Sequence, residues 1–510
     1  MSFPGLNFDL STPSWSSNER DTQSEAIRED QDLLPGTRLP SHDILIELVD
    51  LFFEHLYEIF PCFNRKTFRM QVQLGAIEQQ CPLVLFAMCC IAARFHPEVA
   101  IRQCEKEWYE QAKLLYHLTQ RDPYPGLLTI QAALLIVVYA CTAGDFSSAW
   151  LFLGKAWRQA IALGMNRMDV STATSTGLKL QDLNDNDQDT NSGQGKRNMT
   201  AADKEEQRRT MWLLFIVDRN HSWPVGWPNA VPETHFKIDM PVADSVFQAM
   251  EAAADDSVCG NTPFTRNLDR LIRSCQSAGE PVNVFHYICV AHILLGRVVE
   301  LVYSLHDAPD TPEYAEDCDE LDSHIVKFRL SIPRQATSIL EAQPADRGQV
   351  VWLQVVLNTC VMLLNHRCAN NVSSADASSP FMVAVAAARD TAQIVKDASR
   401  VSIEPLISPH IASSLYVAVL LLVIQWRTTG DPKLKEEIDL FALVFDRMND
   451  AFVFLGLKFS YALEHDLERS QGDHLEELRD RSLRGLLADC TKWTHIKDKI
   501  VQRGIPIDIT

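Results

Sequence analysis

Two apolar segments of helical length, 127–143 and 146–164, meet across nothing more than AGDF at 143–146. A connection this short obliges the two helices to lie antiparallel. Gly144 suits the left-handed position that ends the first helix, and Asp145 can cap the second. Trp150, Leu153, Trp157 and Ile161, spaced by three and four residues, are the predicted buried stripe of that second helix. A tetratricopeptide-like array would need a second copy at a 34-residue period, and the chain shows none.

The rest of the chain repeats the helical period and nowhere sustains the alternation of a strand, so the expected fold class is all-α, a large domain of packed antiparallel helices. Helical segments are predicted at 41–59, 82–95, 98–119, 203–223, 285–306, 320–331, 348–369, 381–399, 408–428 and 435–465. Residues 1–40, acidic with scattered aromatics, lack any sustained period and are read as a disordered segment preceding a 41–470 domain. Within that domain 171–202 is polar and poor in bulky apolar residues, and is read as a disordered insertion. Residues 471–510 hold a final amphipathic helix, with Leu475, Leu478, Leu486 and Leu487 on its buried face.

At 46% hydrophobic and 22% charged, the 510 residues have the balance of a folded globular chain. The formal charge of -20 opposes a phosphate backbone, and the densest basic pieces, RKTFR at 65–69 and GKR at 195–197, are too short to grip a duplex. Direct DNA binding is therefore not expected. The N-terminus lacks the charged and apolar pattern of a secretory signal, and the apolar run 411–426 is read as a core helix, so no membrane role is expected. Thirteen cysteines without a C-x-x-C pair are read as reduced, buried thiols.

No nucleotide-loop, hydrolase-elbow or H-E-x-x-H pattern occurs, which points away from an enzyme, and no cofactor or metal is expected. His286, Cys289 and His292 in HYICVAH share one predicted helix, but zinc on a helix more usually takes ligands at i and i+4, so they are read as partly buried helix residues. In NHRCAN, at 365–370, His366 and Arg367 sit in the last turn of an apolar helix, where cations favour the dipole.

The stretch EEQRRTMWLLFIVDRNHSWPVGWP, 205–228, carries the most information. Asp203 and Glu206 are spaced as a capping box, and Glu205 lies one turn ahead of Arg208 and Arg209, spacing for exposed ion pairs. Met211 to Val217 is apolar on every side and must be buried, so Asp218 and Arg219 need partners or an exit. Pro224 ends the helix, with Trp223 pushed out of helical geometry. Trp223-Pro224-Val225-Gly226 then reads as a turn that redirects the chain. Arg208, Arg209 and Asp218 are expected to hold this helix and the Gly226-Trp227-Pro228 turn against neighbouring helices.

Arg208, Arg209, Trp212, Asp218, Gly226 and Pro228, with IDMP at 238–241, resemble the core motif of the fungus-specific transcription factor domain, the middle homology region of fungal binuclear zinc cluster regulators. LVDLFFEHLYEIFPCFNRKTF at 48–68, SAWLFLGKAWRQAIALGMNR at 148–167 and VVLNTCVMLLNHRCA at 355–369 resemble further parts of it in the same order, so that the likeness runs over about 41–465. Two positions depart from that pattern: Trp227 stands where an arginine is common, and Leu213 where a second tryptophan often follows the first. The six-cysteine zinc cluster has no counterpart here, the first cysteine being Cys62.

The resemblance implies a nuclear regulator of transcription. It would work through a DNA-binding transcription factor or the transcription machinery, with the genes of a secondary-metabolite cluster as the expected target. A zinc cluster encoded upstream of Met1 is one alternative. A helical cytosolic adaptor holding a small-molecule effector is another.

Overall fold

The computed structural model describes residues 37–119, 126–170, 199–250, 260–276, 281–304, 311–366, 379–477, 483 and 490–502, and among them every regular element is a helix. A first group comprises α1 (His42–His55), α2 (Arg65–Gln73), α3 (Ala76–Gln80), α4 (Pro82–Ala92), α5 (Val99–Gln103), α6 (Glu105–Leu118), α7 (Leu127–Ala143) and α8 (Phe146–Ala162). Next come α9 (Ala201–Ser222), α10 (Asp244–Ala249) and α11 (Leu268–Gln276). A second group comprises α12 (Val284–Val302), α13 (Pro312–Ser331), α14 (Arg347–Asn365), α15 (Pro380–Ser399), α16 (Ala412–Thr429), α17 (Pro432–Ala451) and α18 (Val453–Glu468), followed by α19 (Cys490–Gln502). In the first group α4 packs on α1, α6 and α7, and α7 on α8; in the second α14 packs on α12 and α15, and α16 on α15, α17 and α18. Helix α9 touches α7 and α8 of the first group and α12 of the second, and α18 returns to α7, so a single apolar core runs from Leu45 to Ile500.

The α7–α8 hairpin forms as its spacing requires. Gly144 sits at φ 86° and closes α7, and the Asp145 side chain accepts from the Ser148 N–H to open α8. The buried stripe of α8 is displaced from the expected one. Leu153 and Trp157 are inside together with Ala149, Phe152, Ala156 and Ala160, whereas Trp150 is 41% and Ile161 39% exposed. The helix carries apolar residues on most of its circumference, so packing chose between two candidate faces.

Other differences are local. Segment 435–465 is two helices, because Phe452 between them sits at φ -133°, ψ 71°. The 320–331 helix begins at Pro312, capped by the Thr311 side chain on the Tyr314 N–H. Residues 98–119 break at Cys104 into α5 and α6. On α1 the buried positions are Leu45, Leu48, Val49, Phe52 and Phe53, and His55 is exposed. Of the leucines expected inside the final helix, Leu475 is half-buried against the core, while Leu478, Leu486 and Leu487 lie outside the described residues. Residues 1–36 and 171–198 also lie outside them.

By length and composition Val284–Val302, Pro344–Asn365 and Ala412–Thr429 could each cross a membrane, but 83%, 78% and 67% of their apolar windows are buried within the fold. Their apolar surface is spent on neighbouring helices.

Candidate functional site

Helix α9 starts one turn earlier than Asp203. The Thr200 side chain accepts from the Asp203 N–H at 3.1 Å and the Asp203 carboxylate accepts from the Thr200 N–H at 3.0 Å, a reciprocal capping box in which Asp203 is the third helical residue. At the other end Trp223 keeps helical geometry, φ -63° and ψ -37°, because the chain tightens into a single 3₁₀ turn before leaving the axis. Gly226, at φ 64°, makes the exit, and the Trp227 N–H donates to the Ser222 carbonyl. A left-handed residue is required there, which only glycine adopts without strain.

Between these ends the paired arginines are buried, not exposed as their spacing suggested. Glu205 and Arg209 are 0% and Arg208 6% exposed. Glu205 is the hub: one carboxylate oxygen accepts from Arg208 at 2.5 Å and Asn261 at 3.1 Å, the other from Arg209 at 3.3 Å and the Val242 N–H at 2.9 Å. Arg208 also forks onto Asp169 at 3.1 and 2.7 Å. Burial pulls the Arg208 guanidinium down, but Asp169 and Glu205 outweigh it and hold the group above its ordinary range. Arg209 donates to the Pro61 carbonyl at 2.9 Å, the Val242 carbonyl at 2.7 Å and Asp244 at 3.1 Å, and lies over the Phe247 ring. Asp244 in turn accepts from the Tyr57 hydroxyl. The two arginines thus tie the start of α9 to the turn after α1, to Asp169 and to Val242, Asp244 and Phe247.

Trp212 and Asp218 extend the same seam. The Trp212 indole donates to the Asp239 carbonyl at 2.8 Å, and Phe236 and Phe264 pack edge-on against its ring. The Asp239 N–H donates back to Asp169 at 2.8 Å. Asp218, fully buried, accepts from Arg219 at 2.9 Å and from the N–H groups of Ala230 and Val231 at 2.9 and 3.0 Å. Burial pushes the Asp218 carboxyl up, against the pull of Arg219 and the two amides. Arg219 stacks on the Phe215 ring at 3.4 Å and donates to the Val231 carbonyl. Pro228 is exposed, and Trp227 meets Trp150 of α8 at 5.2 Å between ring centroids.

Arg208, Arg209, Trp212, Asp218 and Gly226 therefore come together along one helix and the strap, 223–250, that folds back over it. Glu205 as hub, with Asp169, Asp244 and Asn261, was not foreseen. Beyond the spacing of Glu205 from the two arginines, the sequence signal was IDMP, whose Asp239 and Met240 carbonyls accept from Trp212 and Asn261. The network offers no nucleophile and base in an open cleft. Chemically it is a clamp.

The other clusters are structural as well. His286, Cys289 and His292 are buried outright, more deeply than expected. Burial pushes both histidines down to about 4 and the Cys289 thiol up. His292 lies between the Ile288 carbonyl and Asn220, and among the described residues no group of three His, Cys, Asp or Glu side chains is placed to hold a metal. His366 is buried at the end of α14, where its ring lies within hydrogen-bond distance of the Leu363 carbonyl, at 2.7 Å, and of the Leu483 N–H. Arg367 lies outside the described residues.

The profile of the fungal specific transcription factor domain matches residues 49–311. The chain is similar to the Zn(2)-C6 fungal-type transcription factor FTF1c of Fusarium oxysporum, 25% identical over 233 residues, 44% of this chain and 23% of the relative. It is also similar to a transcription factor of Emericella nidulans, 25% identical over 215 residues, 42% of this chain and 30% of the relative. An uncharacterized transcriptional regulatory protein of Schizosaccharomyces pombe matches at 25% identity over 232 residues, 44% of this chain and 22% of the relative. In each case the matched region is less than a third of the relative's own length. The profile match spans just over half of the 510 residues and contains the whole α9 clamp, and the chain belongs to the fungal specific transcription factor domain family.

Proposed function

We infer that the chain is a regulator of transcription acting in the nucleus through its helical domain, with DNA contact made by a partner protein that binds DNA. The observation that carries this reading is the family match over 49–311, joined to a formal charge of -20 that opposes contact with phosphate. The clamp around α9 has the character of a scaffold, as a regulatory domain that receives and passes on contacts would need. A natural-product gene cluster is the target we assign. The test is a deletion strain with transcripts measured under producing conditions, alongside the tagged protein localised in cells. Loss or gain of a contiguous set of transcripts and nuclear signal are expected; unaltered transcripts in every condition would end the proposal.

A second reading is favoured by the name of the Fusarium oxysporum relative, a Zn(2)-C6 fungal-type factor. On it, a zinc cluster encoded ahead of Met1 contacts DNA directly. Translating the genomic sequence upstream and looking for a C-x-x-C-x-x-x-x-x-x-C frame separates the two.

A further inference from the structure

One opening among the described residues lies away from the α9 clamp. A cleft of about 550 Å³ runs along α6, walled by the end of α7 and by residues 450–454 at the α17–α18 junction. This is within the range of sites that hold drug-sized ligands. Its floor is aromatic: the Tyr109 and Tyr139 rings lie 4.5 Å apart, and Phe454 seats its ring on Gly144, where a Cβ would come within 2.9 Å of it.

The two ends differ in charge. At one, Arg94, Arg102 and Lys106 stand against Glu105 and Asp450, three cations to two carboxylates. At the other, Asp145 and Glu110 stand against Lys113, two carboxylates to one cation. Along α6 the span from Glu105 to Lys113 is about 12 Å at helical rise. The tyrosine rings, tilted 39° to one another, line the cleft between these two charged groups.

Its polar groups are not fully matched by the protein. Arg94 donates to Glu105 at 2.6 Å and to the Ala451 carbonyl at 2.9 Å, and lies over the Tyr139 and Phe452 rings, but its buried Nε–H has no partner. At the far end Asp145 already accepts from Tyr109 and Lys113 at 2.9 and 3.1 Å, which keeps it ionised and able to accept again.

The geometry points to a binding site for an elongated aromatic carboxylic acid with a hydroxyl or amine at its opposite end. The acid meets Arg94, Arg102 and Lys106, the rings lie against Tyr109 and Tyr139, and the distal donor meets Asp145 or Glu110. Because the walls come from residues 94–145 and 450–454, an occupant would bridge the first helical group and the last helices. This adds to the transcriptional reading and is tested apart from it, on purified protein.

The probe is 4′-hydroxybiphenyl-4-carboxylic acid, a rigid molecule with both polar ends, titrated calorimetrically into the full chain. Saturable binding of one probe per chain is expected, weakened tenfold or more by Arg94→Met and clearly weakened by Lys106→Glu on the exposed rim. The methyl ester of the probe should bind wild type and Arg94→Met alike. Absence of saturable binding to wild type overturns the proposal, as does wild-type affinity in both charge variants. If Arg94→Met does not fold, Lys106→Glu decides alone.

Discussion

Replacing Arg209 with methionine removes the guanidinium from the centre of the α9 clamp while keeping most of the side-chain volume. In the wild type that group donates to Glu205, Asp244 and the carbonyls of Pro61 and Val242. After substitution Glu205, 0% exposed, keeps only Arg208 as a charged partner, and the two carbonyls lose a donor. Breaking a buried ion pair by removing one partner costs about 3–5 kcal/mol, and two orphaned carbonyls at roughly 1–3 kcal/mol each give a sum of the same size. With a urea m-value of ~3 kcal/mol/M, the unfolding midpoint should fall by about 1 M or more. Arg209→Lys should lose a large part of that, since an ammonium lacks the fork that reaches acceptors on four sides. In the double variant Glu205→Gln, Arg209→Met the cost should be well below the sum of the single costs, because each single change strands the other group. Urea titrations followed by tryptophan fluorescence measure the wild type and the four variants, Glu205→Gln alone among them. A midpoint for Arg209→Met within a few tenths molar of wild type would refute the clamp. Lost regulation at an unchanged midpoint would make Arg209 a contact residue instead.

Burial, with Asp346 and Glu404 nearby, pushes the Glu58 carboxyl from 4.5 up to about 7. An acid raised in the folded state stabilises fully below its unfolded value and loses that contribution as pH rises through the folded one, here between 4.5 and about 7, for at most about 3 kcal/mol. Glu58→Gln should therefore raise the melting temperature at about pH 8 and leave it unchanged near pH 4; an equal effect at both would contradict this. Gly144→Ala demands a left-handed alanine and drives Cβ into the Phe454 ring, so it should cost more than the ~1 kcal/mol of strain alone, read as a lowered midpoint. Metal analysis of the purified chain should find no stoichiometric zinc at His286, Cys289 and His292; zinc that disappears on Cys289→Ala would reverse that assignment.

The all-helical fold could be read from the sequence because its signal is local. Gly144 and Asp145 set the α7–α8 corner by their own backbone and side-chain chemistry, and both act there as expected. Face selection was less readable. Trp150, Leu151, Phe152 and Leu153 are consecutive and all apolar, so hydrophobicity alone could not say that Trp150 and Leu151 turn outward. The helix at Arg65–Gln73 went unrecognised because it is short and polar, and its start depends on Asn64 accepting from the Thr67 N–H. At the candidate site, the motif residues of α9 were identifiable but their environment was not. Glu205 looked like a surface partner because its i+3 and i+4 arginines are the only neighbours that sequence spacing reveals. The Val242 amide, Asn261 and the carbonyl of Pro61 come from elsewhere in the chain and arrive only when the strap folds back. The α6 cleft left no motif, since its walls are residues more than 300 positions apart.

The anchoring of α9 bears on how this chain can be handled. Asp169 is held by the Arg208 fork and by the Asp239 N–H, and Thr200 opens α9 with its own reciprocal box, so both ends of the interval 170–199 are fastened to the fold independently. For a flexible linker joining these two anchors, halving or doubling the length alters closure entropy by only about 0.6 kcal/mol. The interval is thus an internal port where a fluorescent reporter can be spliced, leaving both termini untouched for the localisation experiment.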